Sequence, residues 1–239
     1  MTDVMKNHGS SNEAQRSPVM ECHAVGKTFP SRSGSVRVLE GVDLSVRRGE
    51  IVVVIGKSGV GKSTLLGLLA GLDSPTSGDV TLASRRLGDM SNSAIAQLRR
   101  EKVGIIFQDF NLLASWTASE NVEAPLMHSG INRRDRRLKV ASWLQSVGLG
   151  DRMDHLPGEL SVGQRQRVAV ARALVNGPEI VFADEPAGDV DPETAREIQD
   201  LLLRSVREKG ATLIVATHGG FPLNVADRTL ILRDGALVG

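Results

Sequence analysis

The chain has almost no net charge, a single cysteine and no apolar run long enough to cross a bilayer, and each shortage excludes something. Lys and Arg number 29 against 28 Asp and Glu, a formal net charge of +1. No global field therefore draws the protein onto nucleic acid, which is not an expected partner. Cys22, alone of its kind, cannot form a disulfide within the chain, which fits a reducing compartment. No stretch approaches the ~20 apolar residues of a membrane-spanning helix. Met1–Pro18 is polar throughout and lacks the hydrophobic centre of a secretory signal. Any membrane role is expected to run through a partner. The same residues 1–18 carry too little apolar surface to offset the entropy of ordering them, so a disordered tail is expected there. No internal repeat is visible, and a chain of 239 residues favours one compact unit over 19–239.

What is present begins with a string of nine residues, Gly56, Lys57, Ser58, Gly59, Val60, Gly61, Lys62, Ser63 and Thr64, directly after the apolar run Ile51–Ile55. It reads as a strand, a glycine-rich loop and a helix start. Such a loop turns its N–H groups inward, and with the positive end of the helix they cradle a polyphosphate. Lys62 adds a point charge for the outer phosphates, and Ser63 a hydroxyl suited to Mg²⁺, a hard cation that prefers oxygen ligands. Nucleotide binding is the expectation.

Around this loop the apolar spacing is strand-like over Val19–Val25 and Val36–Val46, separated by the turn cluster Ser31–Ser35, and an antiparallel pair is expected. Short strands are expected at Asp79–Leu82 and Val103–Phe107, and a helix over Ser91–Leu98. From about Asn111 to Gly158 the spacing becomes helical, with helices over Ala118–His128 and Arg134–Val147. The second opens on the basic run Arg133, Arg134, Arg136, Arg137 and Lys139, which reads as a solvated face or as a surface for an acidic partner or lipid headgroups. Strands then alternate with helices: a helix through Val175, the strand Ile180–Ala183, a helix over Pro192–Glu208 and the strand Thr212–Ala216, with a short helix and a hairpin at Asp234-Gly235 closing the chain. The pattern predicts an α/β fold with a mostly parallel core sheet covered on both faces, its ligands at the strands' carboxyl ends, preceded by an antiparallel β subdomain and interrupted by a helical subdomain over about 90–175.

Two adjacent acids close the apolar strand, Asp184 and Glu185. They divide into a Mg²⁺ orienter and a general base that polarises an attacking water. Upstream, Leu160-Ser161-Val162-Gly163-Gln164-Arg165-Gln166-Arg167 combines an N-cap serine, a glycine permitting close approach and a helix start, a second phosphate-binding helix terminus. This string closely resembles the signature motif of ATP-binding-cassette (ABC) ATPases, and the resemblance extends over about Met20–Val238. Within that family it is nearest to the ATPases of lipoprotein-releasing and macrolide-export transporters, with the related cell-division ATPase close by. Gly71–Gly78, Phe107–Leu113, Glu120-Asn121-Val122, Pro125-Leu126 and Arg165–Leu174 carry that likeness.

The resemblance implies a P-loop nucleotide-hydrolase fold that hydrolyses ATP with Mg²⁺. It also implies a homodimer formed head to tail on ATP binding, so that Ser161, Gly163 and Gln164 of one subunit meet the nucleotide on the other's loop. Gln108 matches the glutamine that reaches Mg²⁺ and water, Asp184 the metal-orienting acid, Glu185 the general base, and His218 the switch histidine at the γ-phosphate. Asp191 matches an aspartate at the dimer interface. Phe29 stands where the family stacks an aromatic on adenine, although a lone Phe near a strand end is equally a core residue. The implied partner is a transmembrane permease, which would hold the subunit on the inner face of the cell membrane. A dimerising ATPase that regulates a membrane partner without transport uses the same motifs. Val162, Ala187, Val190 and Gly219 depart from the family's common residues, all near the implied interface.

Overall fold

The computed structural model describes residues 18–32 and 34–238, so residues 1–17 of the expected tail lie outside the described part. In chain order, β1 (Pro18–Ser31) and β2 (Gly34–Arg47) lead to β3 (Ile51–Ile55) and helix α1 (Lys62–Leu69). Then come β4 (Ser77–Leu82), β5 (Arg85–Arg86), α2 (Asn92–Lys102) and β6 (Val103–Ile106). Helices α3 (Ala118–Glu123), α4 (Arg133–Ser146) and α5 (Val162–Leu174) follow. The chain finishes with β7 (Ile180–Asp184), α6 (Pro192–Lys209), β8 (Thr212–Thr217), β9 (Arg228–Arg233) and β10 (Ala236–Val238). Pro18, counted with the tail in the sequence reading, instead opens β1 and pairs with Arg47.

Two sheets result. One is antiparallel, in the order β2-β1-β4-β5; the other runs β10-β9-β3-β8-β7-β6, parallel except for β10. The parallel strands are continuous apolar runs because both faces are covered. Alternation along each strand divides its side chains between two cores. Val52, Val54, Ile180, Phe182, Ile214 and Ala216 point to the side covered by α1, α2 and the antiparallel sheet. Ile51, Val53, Val181, Ala183, Leu213 and Val215 point to the side covered by α5 and α6. A third core joins α3 and α4 to the outer face of α5 through Val122, Leu144, Val168 and Ala171. Helix α5 is thus buried on two sides. Cys22 lies fully buried in the first core, where burial pushes its thiol up to about 12.

The structure corrects several expectations. The span 90–175 assigned to a helical subdomain contains β6, a strand of the parallel sheet, and α2, whose Leu98 belongs to the first core. The helix expected over Ala118–His128 ends at Glu123 and continues only as a 3₁₀ turn, Ala124–Leu126. Pro125 explains this: it has no N–H to give, and its ring clashes with the preceding helical turn. The short helix expected before the last hairpin is one 3₁₀ turn at Leu223–Val225. Strand β9 then runs parallel to β3, a pairing its exposed Arg228, Thr229 and Arg233 did not advertise.

Candidate active site

The carboxyl ends of adjacent parallel strands set the site. Ile55 lies beside Thr217, and Asp184 beside Ala216, so Gly56, Glu185 and His218 leave the sheet side by side. Gly56 donates to Thr217 O at 3.2 Å, and a Cβ on it would sit 2.8 Å from Leu232 O, so only glycine fits there. Gly61 takes a left-handed φ of 106° as the N-cap of α1, with no side-chain cap, leaving the first N–H groups of that helix free to meet an anion. Lys62 is buried under the loop. Its Nζ donates to Gly56 O at 2.9 Å and Lys57 O at 3.2 Å and lies 3.5 Å from Glu185 Oε1.

A cleft of about 420 Å³ opens over the loop. Ser58, Gly59, Gly61, Lys62, Ser63 and Thr64 of the loop line it together with Gln108, Asp184, Glu185 and His218. Gly56, Lys57 and Val60 shape the loop without lining the cleft. Glu185 is 9% exposed, takes φ 43° and donates its N–H to Ala216 O at 2.9 Å. Its Oε1 lies 2.9 Å from His218 Nδ1. Gly188 leaves room for it, since a Cβ there would come 3.3 Å from Glu185 Cβ.

Asp184 shows what the cleft needs. Burial pushes its carboxyl above the ordinary range; the Ser63 hydrogen bond and the Lys62 charge oppose this, while Glu185 and Asp109 add to it. Its Oδ1 is buried with no hydrogen-bond partner. A buried, unpartnered carboxylate oxygen beside the Ser63 hydroxyl is a donor set for a hard divalent cation, and Mg²⁺ fits these residues.

The other expected site residues lie elsewhere on the chain. Ser161 caps α5 reciprocally with Gln164: Gln164 N–H donates to Ser161 Oγ at 3.2 Å, and Ser161 N–H to Gln164 Oε1 at 2.9 Å. With Gly163 and Asp191 they line a second cleft of about 580 Å³. A Cβ on Gly163 would come 2.6 Å from Thr194 Cγ2, so any larger residue there would have to push the Thr194 side chain of α6 aside. Asp191 caps α6, accepting from Glu193 N at 3.1 Å and Thr194 N at 3.0 Å, and the hydrogen bonds with Thr194 hold its carboxyl below the usual range. Phe29 stands in neither cleft. It lies at the far end of the β1–β2 pair, 38% exposed with Lys27 Nζ 5.0 Å above its ring, and is not a core residue. Sequence reasoning passed over Asp189, which lines both clefts, and Val38, which lines the first from β2. Neither residue type signals such a place by itself.

Residues 39–188, which hold the phosphate loop, the signature string and the paired carboxylates, match the model of one family. This chain belongs to the ABC transporter family. The cassette is 40% identical over 221 residues to the macrolide export ATP-binding/permease protein MacB of Escherichia coli (strain K12), aligning 92% of itself with 34% of that protein. With MacB of Salmonella typhimurium the identity is 41% over 220 residues, with the same coverage. The cassette therefore spans about a third of the length of these curated relatives. Among solved structures it resembles the dimeric ATP-binding cassette MJ0796 bound to ADP and Pi in a post-hydrolysis state, with a TM-score of 0.85, 36% identity and coverage of 92% of this chain and 97% of that one. Cassette cbiO1 of Clostridium perfringens, part of the ABC transporter complex cbiONQ, matches with a TM-score of 0.80 at 28% identity over 93% of this chain and 88% of that one.

Proposed function

We propose that the chain is the ATP-hydrolysing cassette of a transporter of the macrolide-export and lipoprotein-release type. The observation that carries this is the convergence of Lys62, Ser63, Gln108, Asp184, Glu185 and His218 on one cleft at the strand ends. On nucleotide entry, the Lys62 ammonium exchanges Gly56 O, Lys57 O and Glu185 for phosphate oxygens, and the free N–H groups of α1 take the rest. Ser63, Asp184 and Gln108 would hold Mg²⁺, which would supply charge neutralisation at the phosphates. Once Lys62 has left it, Glu185 accepts the proton of the attacking water, and His218, bonded to the same carboxylate, contacts the γ-phosphate. Phe29, exposed at the end of its strand pair, offers a face on which adenine stacks.

That the signature terminus and the phosphate loop line different clefts, which share Asp189, supports a composite site. Ser161 and Gly163 line one and Lys62 the other, so a head-to-tail homodimer brings each signature terminus to the partner's nucleotide, with Asp189 and Asp191 at the seam. The relatives' combination of ATP-binding and permease parts supports a transmembrane permease as the second partner. No helix of the described residues is long and apolar enough to cross a membrane. The cassette then lies on the cytoplasmic face of the membrane through that permease. Replacing Glu185 with Gln tests the mechanism: hydrolysis falls by roughly 10²–10⁴-fold, the worth of a general base, and an ATP-dependent dimer accumulates on gel filtration. A variant that keeps wild-type turnover would remove Glu185 from the role.

A further inference from the structure

The segment after Gln108 holds two successive non-glycine residues in the left-handed region, Phe110 at φ 58° and Asn111 at φ 49°. L side chains visit that region singly and at a cost, and persist there only where the surroundings over-determine them. The surroundings here are two arginines of α5. Arg172, in its last turn, donates from Nη2 to Phe110 O and from Nη1 to Asn111 O, both at 2.6 Å. Half-buried, its two-pronged guanidinium donates to these two carbonyls and to no carboxylate among the described residues. Arg165 lies two helical turns earlier on the same face. Its guanidinium carbon is 5.5 Å from the centre of the Phe110 ring, and its Nη1 donates to Leu160 O at 2.9 Å. The far end of the segment is tied as well, because buried Asn121 accepts from Leu113 N at 2.8 Å and donates to Leu113 O at 3.1 Å.

We propose that Arg172 is a positioning residue for Gln108, through which α5 sets how far that side chain reaches into the nucleotide cleft. The proposal rests on the reading of that cleft as an ATP site. One rigid helix carries Ser161 at its N-cap and Arg172 at its other end. Seating the N-terminus of α5 on a partner's nucleotide therefore moves the clamp on the same subunit's Gln108. In this way the two clefts of one chain are coupled through a single element.

The test is Arg172→Lys, which keeps a cation but loses the fork. MgATP affinity is expected to stay within about twofold while kcat falls about tenfold, the signature of misplacement rather than lost binding. Amide hydrogen exchange across residues 109–112 rises, and that across 51–64 is unchanged, which also reports that the variant is folded. Adding Asn111→Gly, which takes the left-handed conformation without steric cost, restores half or more of the lost kcat. Unchanged exchange across 109–112, or a kcat loss that Asn111→Gly leaves in place, would overturn the proposal. Absence of hydrolysis by the unaltered protein would count against the ATPase reading instead, because the exchange arm is read without nucleotide.

Discussion

Glu185 is held by two nitrogens, His218 Nδ1 at 2.9 Å and Lys62 Nζ at 3.5 Å, while its neighbour Asp184 keeps an unpartnered buried oxygen. The adjacent acids differ because one turns out of the strand at a left-handed φ and the other stays within it. Asp184 carries a stability cost that pH reveals. Its pKa is raised on folding, so the folded state holds the proton more tightly, and stability falls as pH rises from the ordinary 3.8 through the raised value. Asp184→Asn is therefore expected to raise the melting temperature of the nucleotide-free protein at pH 7, with the gain fading as pH falls through the raised value and gone by pH 3.8, while Mg²⁺-dependent hydrolysis is lost. Thermal unfolding across pH checks this, and a variant less stable than the parent at pH 7 would contradict it. At this scale the sequence was informative about residue types: Lys62, Ser63, Asp184, Glu185 and His218 all meet. It was silent about who holds whom, because the Lys62–Glu185 contact joins positions far apart in the chain.

Among the elements, α5 has the most to satisfy. It covers the parallel sheet with Val170 and Leu174, packs α3 and α4 with Val168 and Ala171, and meets the first turn of α6 at Gly163. The last contact predicts a paired result. Gly163→Ala forces its Cβ into Thr194 Cγ2 and is expected to reduce both stability and hydrolysis. Thr194→Ser removes that methyl and keeps the hydroxyl beside Asp191, so the double variant recovers most of the loss. A double-mutant cycle measures the coupling, and additive effects would show that the close approach is not what demands glycine. Element existence was legible wherever spacing was strong, as in Ile51–Ile55 and Pro192–Lys209. Boundaries failed where a single residue overrides the spacing. Pro125 stops α3 although the apolar positions run on to Met127, and β9 forms because β3 offers it an edge, not because Arg228–Arg233 reads as a buried strand.

For the whole molecule, the decisive fact is that Ser161 and Gly163 line one cleft and Lys62 and Ser63 another. The order of motifs made the fold and the phosphate loop readable at once. The distance between the loop and the signature terminus was not readable, since it depends on how α5 lies across the sheet. Half of each catalytic site is expected to come from a second copy. Titrating MgATP into monomeric Lys62→Ala and Ser161→Ala by calorimetry, with turnover measured in parallel, tests this most directly. Lys62→Ala is expected to lose both binding and hydrolysis, and Ser161→Ala to keep monomer binding while losing hydrolysis. Equal loss of monomer binding in the two variants would put the signature terminus on its own chain's nucleotide and contradict the composite site.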